Sequence, residues 1–339
     1  MTSGLSLLQL KNYLPQVEAL CKEVGEFQLQ HWQSVKLDQI ADKGLNQLVS
    51  FVDKESEQKL MDGLRAILPG SCFIGEEFNP DSVLSDEPTW IIDPLDGTTN
   101  FLHGLPVFAV SVALWDSGSA QVGVVHAPAM NETFTAVRGG GAHLNGKVLQ
   151  LTGELNLSES LIATGFPYYD FEKMTPYLEL LSDLMRSTHG LRRMGSAAID
   201  LAYTAAGRFD AFYEMGLAPW DVAAGVLLVE EAGGFVSNFS GGSSVLFKKE
   251  IIAAHPALGE SFYNVCPINW PSINSVWYRP KSGLNCKQRI GIIIIDRERN
   301  LVWLFDRHIE FWPVVFYSDT YRNSRGETTR NAGSIGHFP

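Results

Sequence analysis

Two short apolar runs in this sequence end directly at carboxylates, which limits the folds that the chain can adopt. Residues 90–101 read Trp-Ile-Ile-Asp-Pro-Leu-Asp-Gly-Thr-Thr-Asn-Phe, in which Asp93 and Asp96 interrupt a hydrophobic run. The run at 72–74 likewise leads into two glutamates at 76–77. Short apolar runs of this kind predict buried strands, and both strands would end at a polar edge. Buried strands need helices packed against them, so we expect mixed sheets layered with helices.

Helical periodicity and turn signals divide the rest of the first 268 residues. Apolar residues between positions 5 and 27 recur at intervals of three and four, which predicts an amphipathic helix. Turn signals such as Asn145-Gly146 break residues 108–150 into a meander of strands. The same criteria predict helices at 54–67, 196–208 and 221–232, and strands at 209–213 and 251–254. The fold class expected is therefore α/β, with α+β layers.

Composition argues against several classes of protein. The chain has 339 residues, 45% of them hydrophobic, which is enough for a large core. No apolar run approaches the ~20 residues of a membrane span and no secretory signal is evident, so we expect a soluble, cytoplasmic protein that does not bind membranes. Four widely spaced cysteines argue against zinc or a disulfide framework. A net charge of −12 argues against nucleic acid as a partner.

Residues 269–339 differ from the rest of the chain. They hold ten basic and six acidic residues, a net of +4, whereas the preceding residues carry a net of −16. Four of the eight tryptophans also lie there. Helix signals are weak after Trp312, so we expect a peripheral, β-like extension that is partly disordered. The predicted domains are 1–268, with halves at about 1–155 and 156–268, and an atypical C-terminal extension at 269–339.

The acidic clusters indicate a metal site if the fold brings them together. Asp221, at the start of a predicted helix, provides a third cluster beside Glu76 and the aspartates Asp93 and Asp96. Carboxylates gathered in a small volume repel one another, and bound cations remove that cost. All-oxygen ligands suit Mg²⁺, which also binds phosphate oxygens and lets an acidic protein hold an anionic substrate. Phosphate ester hydrolysis needs more acceleration than general acid and base catalysis supplies, and paired metal ions provide it.

Other interpretations apply to several of these segments. Asp-Pro and Asp-Gly are turn dipeptides, so residues 93–97 alone could form a plain loop. We interpret Asp53 as the N-cap of the helix predicted at 54–67, and a catalytic role is the alternative. A calcium-binding EF-hand loop beginning at Asp93 would lack oxygen ligands at several of the required positions. Residues 141–147 nearly match a nucleotide-binding P-loop but are not followed by the required Ser or Thr. The absence of a Gly-x-Ser-x-Gly elbow argues against serine hydrolase chemistry.

Three motifs, taken in their order along the chain, resemble the inositol monophosphatase family. They are Gly-Glu-Glu at 75–77, WIIDPLDGTTNF at 90–101 and PWDVAAGVLLVEEAGG at 219–234. VDKESE from Val52, TGFPY at 164–168 and the stretch at 192–216 match as well, so the resemblance covers about residues 5–265. It implies an αβαβα sandwich of the inositol monophosphatase and fructose-1,6-bisphosphatase type.

The resemblance implies a role for each matching position. Two or three Mg²⁺ ions would be held by Glu76, Asp93, the Ile92 carbonyl, Asp96 and Asp221. Asp53 would lie near a more weakly bound ion. The catalytic residues would be Glu76, Thr98 and Asp53, and Thr98 would hold the attacking water. The phosphate and the substrate hydroxyls would contact Asp96, Gly97, Thr98, Gly195, Ser196, Ala197, Glu214 and Asp221.

The implied activity is hydrolysis of inositol monophosphate or a related polyol phosphate by metal-activated water, in a lithium-sensitive homodimer. The first alternative is a phosphatase of the same fold acting on fructose 1,6-bisphosphate, histidinol phosphate or a nucleotide 3′,5′-bisphosphate. Arg192 and Arg193 are the candidates for binding a second phosphate. The alternative outside the enzymes is a metal-free regulatory or binding subunit. One departure from the family precedes Asp53, where Gln47-Leu48-Val49-Ser50 stands in place of Asp-x-Val-Thr.

Overall fold

The computed structural model describes two compact units of the chain, Met1–Ile268 and Asn269–Pro339. In the first unit it describes residues 4–35, 40–44, 47–167 and 173–266, and in the second it describes five short strands. Within these described residues, no helix combines the length and the apolar character needed to cross a bilayer.

The described part of the first unit contains seven α-helices. They are α1 Leu7–His31, α2 Phe51–Ile67, α3 Thr98–Leu102, α4 Met174–Ser187, α5 Ala197–Ala205, α6 Pro219–Glu231 and α7 Gly259–Val265. The amphipathic helix predicted near the N-terminus is confirmed as α1, which is capped by Ser6 and extends to His31. The other three predicted helices are confirmed as α2, α5 and α6, with ends shifted by a few residues.

Strands of the first unit form one pair and two larger sheets. They are β1 Ile40–Gly44, β2 Gln47–Ser50, β3 Cys72–Gly75, β4 Thr89–Asp96, β5 Ala109–Asp116, β6 Ser119–Ala127, β7 Glu132–Val137, β8 Gly141–Leu144, β9 Lys147–Leu149, β10 Leu161–Thr164, β11 Gly190–Arg192, β12 Ala211–Met215, β13 Phe235–Ser237 and β14 Glu250–Ala254. The seven-stranded sheet runs β3-β4-β5-β6-β7-β8-β9, and the five-stranded sheet runs β11-β10-β12-β14-β13. β1 pairs with β2.

Helices and sheets alternate in five layers, the αβαβα sandwich that the resemblance implies. Helices α1 and α2 pack on one face of the seven-stranded sheet, where Leu60 joins Trp90 in a buried apolar cluster. Helices α5 and α6 lie between the two sheets, in a second cluster that contains Ile91 and Phe212. Helices α4 and α7 cover the far face of the five-stranded sheet, where their aromatic rings contact Tyr213. Successive side chains along β4 and β12 face opposite sides of their sheets, so each sheet has an apolar core on both faces.

The hairpin between β8 and β9 settles the interpretation of residues 141–147. Asn145 and Gly146 both have positive φ, at 47° and 78°, as the central residues of a tight hairpin turn require. The segment is therefore a hairpin and does not form a phosphate-binding loop before a helix.

The second unit contains five described strands. They are β15 Ile292–Asp296, β16 Leu301–Phe305, β17 Pro313–Val315, β18 Tyr321–Arg322 and β19 Thr328–Thr329. The first three form an antiparallel sheet, and the last two form an antiparallel pair. Trp312 and residues 330–339 lie outside the described residues. The disorder of the chain end and the division of residues 1–268 into halves stay predictions.

The burial of His126, on β6, should make the free energy of unfolding depend on pH. α1 lies directly on its ring, since a Cβ at Gly25 would approach His126 Cδ2 to 2.6 Å. Burial lowers the pKa of His126 to about 4, so below pH 6.5 the unfolded chain binds a proton that the folded protein does not bind. Between pH 7 and pH 5 the wild type should lose about 2 kcal/mol of unfolding free energy more than His126→Gln. Chemical denaturation of both proteins at both pH values measures this, and equal losses would contradict it.

Candidate active site

A bulge in β4 turns Asp93 and Asp96 to the same face of the first sheet. Asp93 pairs with Ser111 and Asp96 pairs with Ala109, so three steps along β4 oppose two steps along β5. In a regular strand, residues three apart face opposite sides of the sheet. The additional residue of the bulge restores both aspartates to the side that α5 and α6 cover. Ile92, which precedes Asp93, is fully buried within the same strand.

Asp221 approaches this pair from the first turn of α6. Its Oδ2 atom accepts a hydrogen bond of 2.6 Å from the Ala218 amide, which fixes the carboxylate at the helix N-terminus. One carboxylate oxygen from each of Asp93, Asp96 and Asp221 lies within 4.8 Å of the others. The fold therefore brings Asp221 to two aspartates that precede it by more than 120 residues in sequence.

Burial and mutual repulsion both act on these aspartates. Burial raises the pKa of Asp93 well above its ordinary value, and the charges of Glu76, Asp96 and Asp221 raise it further. Burial also raises the pKa of Asp221, with further contributions from Asp96 and Glu76. A divalent cation would relieve this repulsion, and a group of carboxylate oxygens suits Mg²⁺. The donor set thus fits the metal that the resemblance implies.

Glu57, on α2, positions the turn that carries Glu76. Its carboxylate accepts hydrogen bonds from the backbone amides of Glu77, at 2.7 Å, and Phe78, at 3.0 Å. Gly75 is required at the end of β3 because a Cβ there would collide with the Glu57 carboxylate. No sequence motif predicted a role for Glu57. An acidic residue on the buried face of an amphipathic helix is a signal that could have found it.

Asp53 is held between Ser50 and Thr98. The prediction that Asp53 caps α2 is wrong, because Ser50 is the N-cap and Asp53 lies at the third helical position. Asp53 Oδ2 accepts hydrogen bonds from the amide and the hydroxyl of Ser50, at 2.8 and 2.7 Å. Its Oδ1 lies 2.9 Å from Thr98 Oγ1, a donor that also lies 3.0 Å from the Leu95 carbonyl. Ser50 thus supplies a hydroxyl at the place of the family's threonine.

Gly97 begins the short helix α3 with a conformation that favours glycine. Its φ is +90°, and a Cβ would lie 2.8 Å from the Val107 carbonyl, so a side chain is excluded on both counts. The side-chain amide of Asn100 donates to the carbonyls of Val107 and Met194, at 2.7 and 2.9 Å. Asn100, to which sequence analysis assigned no role, therefore ties Gly97 and Thr98 to the loop that carries Gly195.

The N-terminus of α5 holds the Asp96 carboxylate. Ser196 caps this helix by accepting the Ile199 amide at 3.2 Å, and its hydroxyl donates to Asp96 Oδ2 at 2.6 Å. The amide of Ala198 donates to the same oxygen at 2.7 Å. Ala197 is the first residue of the helix. Asp96 is thereby oriented by residues that lie about 100 positions further along the chain.

Glu214, on β12, adds another carboxylate beside Asp96. Burial raises its pKa to about 8, while the positive charge of Arg193 opposes the rise and the charge of Asp96 adds to it. Gly165 has no room for a side chain because the Glu214 carboxylate occupies that space. Asp200 on α5, for which no sequence motif predicted a role, is also buried, and its Oδ1 has no hydrogen-bond partner among the described residues.

Of the two arginines considered for a second phosphate, Arg193 is the one whose charge acts on this site. It favours the ionised forms of Asp96 and Glu214. Its guanidinium group lies 5.7 Å from the centre of the Phe166 ring. The side chain of Arg192 is hydrogen-bonded at 2.9 Å to the carbonyl of the neighbouring residue.

Comparison with known proteins gives consistent matches to one family. The chain matches the model of the inositol monophosphatase family over residues 9–267. The protein named Nus factor SuhB of Escherichia coli (strain K12) is 43% identical over 235 residues, 69% of this chain and 88% of that protein. The Inositol-1-monophosphatase of Mesorhizobium japonicum is 43% identical over 220 residues, 65% of this chain and 83% of that protein.

Solved structures agree with this match. The extragenic suppressor protein suhB from Bartonella henselae has a TM-score of 0.70 and 37% identity, covering 75% of this chain and 98% of that one. The Thermotoga maritima IMPase has a TM-score of 0.68 and 35% identity, covering 75% and 96%. The family match ends at residue 267, so the extension at 269–339 lies outside it.

Proposed function

The chain belongs to the inositol monophosphatase family, and we propose that it is a Mg²⁺-dependent phosphomonoesterase acting on inositol monophosphate or a related polyol phosphate. The observation that carries the proposal is the approach of Asp93, Asp96 and Asp221 to within 4.8 Å. Together with Glu76 and the Ile92 carbonyl, these residues would hold Mg²⁺. Bound Mg²⁺ would activate water and stabilise the negative charge that develops on the phosphate and the leaving oxygen.

Asp53 and Thr98 would orient the attacking water. Because Thr98 Oγ1 donates its proton towards Asp53 Oδ1, its lone pairs can accept a hydrogen bond from the water. Ser50 locks Asp53 and thereby sets the direction of the hydroxyl. The Glu76 carboxylate would accept the proton that the water releases.

Substrate would be held at two ends of the site. The backbone amides of Gly97 and Thr98, at the start of α3, would donate to phosphate oxygens. Asp221 and the segment Gly195-Ser196-Ala197 would contact the substrate on the side of the alcohol. Glu214, with its pKa raised to about 8, can both donate to and accept from a polyol hydroxyl near neutral pH.

The proposal includes further properties of the family that the resemblance implies. They are two or three Mg²⁺ ions, inhibition by lithium and a homodimer. Composition adds a cytoplasmic location without nucleic-acid or membrane partners. A second candidate function comes from relatives named Nus factor SuhB, since a role under that name does not require turnover. It corresponds to the regulatory or binding subunit among the alternatives, and Mg²⁺ uptake in calorimetry distinguishes the two.

Phosphate release from three substrates tests the proposed function. Inositol 1-phosphate, fructose 1,6-bisphosphate and adenosine 3′,5′-bisphosphate would be compared across a Mg²⁺ titration and with chelator. We expect chelator-sensitive turnover that prefers inositol 1-phosphate. A preference for a bisphosphate would favour the alternative in which Arg193 binds a second anionic group. No turnover on any of the three by folded protein would contradict the proposal.

Removal of residues 269–339 should leave the activity intact. All the proposed site residues lie between Asp53 and Asp221, and the family match ends at residue 267. We expect a chain ending at Ile268 to show kcat and KM close to those of the full chain. Steady-state kinetics with a circular dichroism melt measures this, and loss of folding or of activity on truncation would refute it.

A further inference from the structure

Gln28, on α1, buries a primary amide between two helices and the first sheet. Its side chain is fully buried, although an amide in an apolar interior is costly unless it is hydrogen-bonded. Nε2 lies 2.6 Å from the Pro94 carbonyl and 3.4 Å from the hydroxyl of Ser56 on α2. The short contact to Pro94 spans 66 positions of sequence and identifies what this amide holds.

Pro94 lies inside the bulge that separates the two metal-site aspartates. The sheet pairs Asp93 and Asp96 with β5 but leaves the residues between them out of register, and bulged residues lose their regular ladder partner. The Leu95 amide donates to Asp93 Oδ1 at 3.0 Å, which ties one side of the bulge to a carboxylate. The amide of Gln28 supplies the hydrogen bond on the other side, from a helix on the opposite face of the sheet.

We infer that Gln28 is a positioning residue of the metal site: by binding the Pro94 carbonyl, it fixes the bulge that turns Asp93 and Asp96 to one face. The consequence for catalysis rests on the proposed function, whereas the consequence for cation binding does not. Gln28 Oε1 has no hydrogen-bond partner among the described residues. The side chain therefore contributes through its donor, and leucine would remove both that donor and an unsatisfied buried acceptor.

Two matched variants test this inference. Gln28→Leu removes the donor to Pro94. Gln121→Leu removes a side-chain amide that donates to the carbonyls of Asp116 and Ser119 in the β5–β6 turn. Mg²⁺ affinity would be measured by calorimetry with inorganic phosphate present. Hydrogen exchange of residues 90–101 would be measured in chelator, where no metal can contribute.

Gln28→Leu should bind Mg²⁺ about tenfold more weakly, as for other residues that orient metal ligands, and residues 90–101 should exchange faster. Saturating Mg²⁺ should restore kcat, with KM for substrate unchanged. Gln121→Leu should match the wild type in affinity and in exchange of this segment. Because a purely structural role would lower the melting temperature without altering Mg²⁺ affinity, affinity within about twofold of wild type in Gln28→Leu would overturn the inference.

Further outcomes separate this inference from the proposed function. In one outcome the wild type binds Mg²⁺, Gln28→Leu binds Mg²⁺ more weakly, and neither protein hydrolyses any substrate. The proposed function then fails and the inference stands. If the wild type takes up no Mg²⁺ even with phosphate, both fail. If Gln28→Leu does not fold, Gln28→Met would be tested instead, by the same measurements of Mg²⁺ affinity and hydrogen exchange. Methionine is unbranched and similar in length to glutamine but lacks the donor.

Discussion

Asp96→Asn should remove nearly all of the proposed phosphatase turnover and leave the fold in place. The substitution deletes one charge from the three-carboxylate group, and we expect kcat to fall by about 10³-fold or more at saturating Mg²⁺. Folding should survive because the remaining side-chain oxygen can still accept the hydrogen bonds that Ser196 and Ala198 donate to Asp96. Steady-state kinetics and a thermal melt of the same preparation measure both effects.

Asp116→Asn provides the matched control for this experiment. Asp116 is also a largely buried aspartate that accepts a backbone amide, that of Leu5, at 2.9 Å, and it has no part in the proposed site. Its asparagine variant should keep normal kinetics. Near-normal kinetics in Asp96→Asn would show that the assignment of the metal ligands is wrong.

Mg²⁺ should raise the thermal stability of the wild type more than that of Asp96→Asn. In the metal-free protein, three carboxylates, one buried and two half-buried, lie within 4.8 Å of one another, and cation binding to the folded state alone offsets their repulsion. At 100 times the dissociation constant such binding stabilises by about 2.7 kcal/mol, which corresponds to about 5 °C or more for a unit of this size. Scanning calorimetry with Mg²⁺ or chelator measures the shift.

The comparison with Asp96→Asn makes this result specific. Sodium chloride at matched ionic strength should not reproduce the shift, because screening acts weakly on buried charges. The variant should melt at or above the wild-type temperature in chelator, since one source of repulsion is gone. An equal Mg²⁺ shift in both proteins would place the cation elsewhere.

Local patterns were sufficient for much of the fold. The periodicity that predicts α1, the Asn145-Gly146 turn and the apolar runs leading to Glu76 and Asp93 depend on near neighbours in sequence, so single-sequence reasoning can read them. The residues that cap helices were harder to predict from the sequence. Ser50 and Asp53 both suit a helix start, and the choice between them depended on which hydroxyl and which carboxylate the fold brought into contact.

Side-chain orientation in the site required the tertiary structure. Asp93 and Asp96 are three residues apart, and a regular strand would send them to opposite faces. Only the mismatch of register with β5 brings both to one side. Arg192 and Arg193 are indistinguishable in sequence, yet the fold brings the charge of Arg193 alone to bear on Glu214.

The identity and order of the acidic motifs, and through them the family, can be read without a structure, because those motifs are short and local. The contacts that support these motifs depend on the three-dimensional fold. Glu57 holds the turn after β3, Asn100 joins α3 to the Gly195 loop, and Gln28 reaches the bulge at Pro94. Each of these contacts joins a side chain to a backbone group in another element. Their partners are set by the packing of helices on the sheet, which spacing along the chain does not encode.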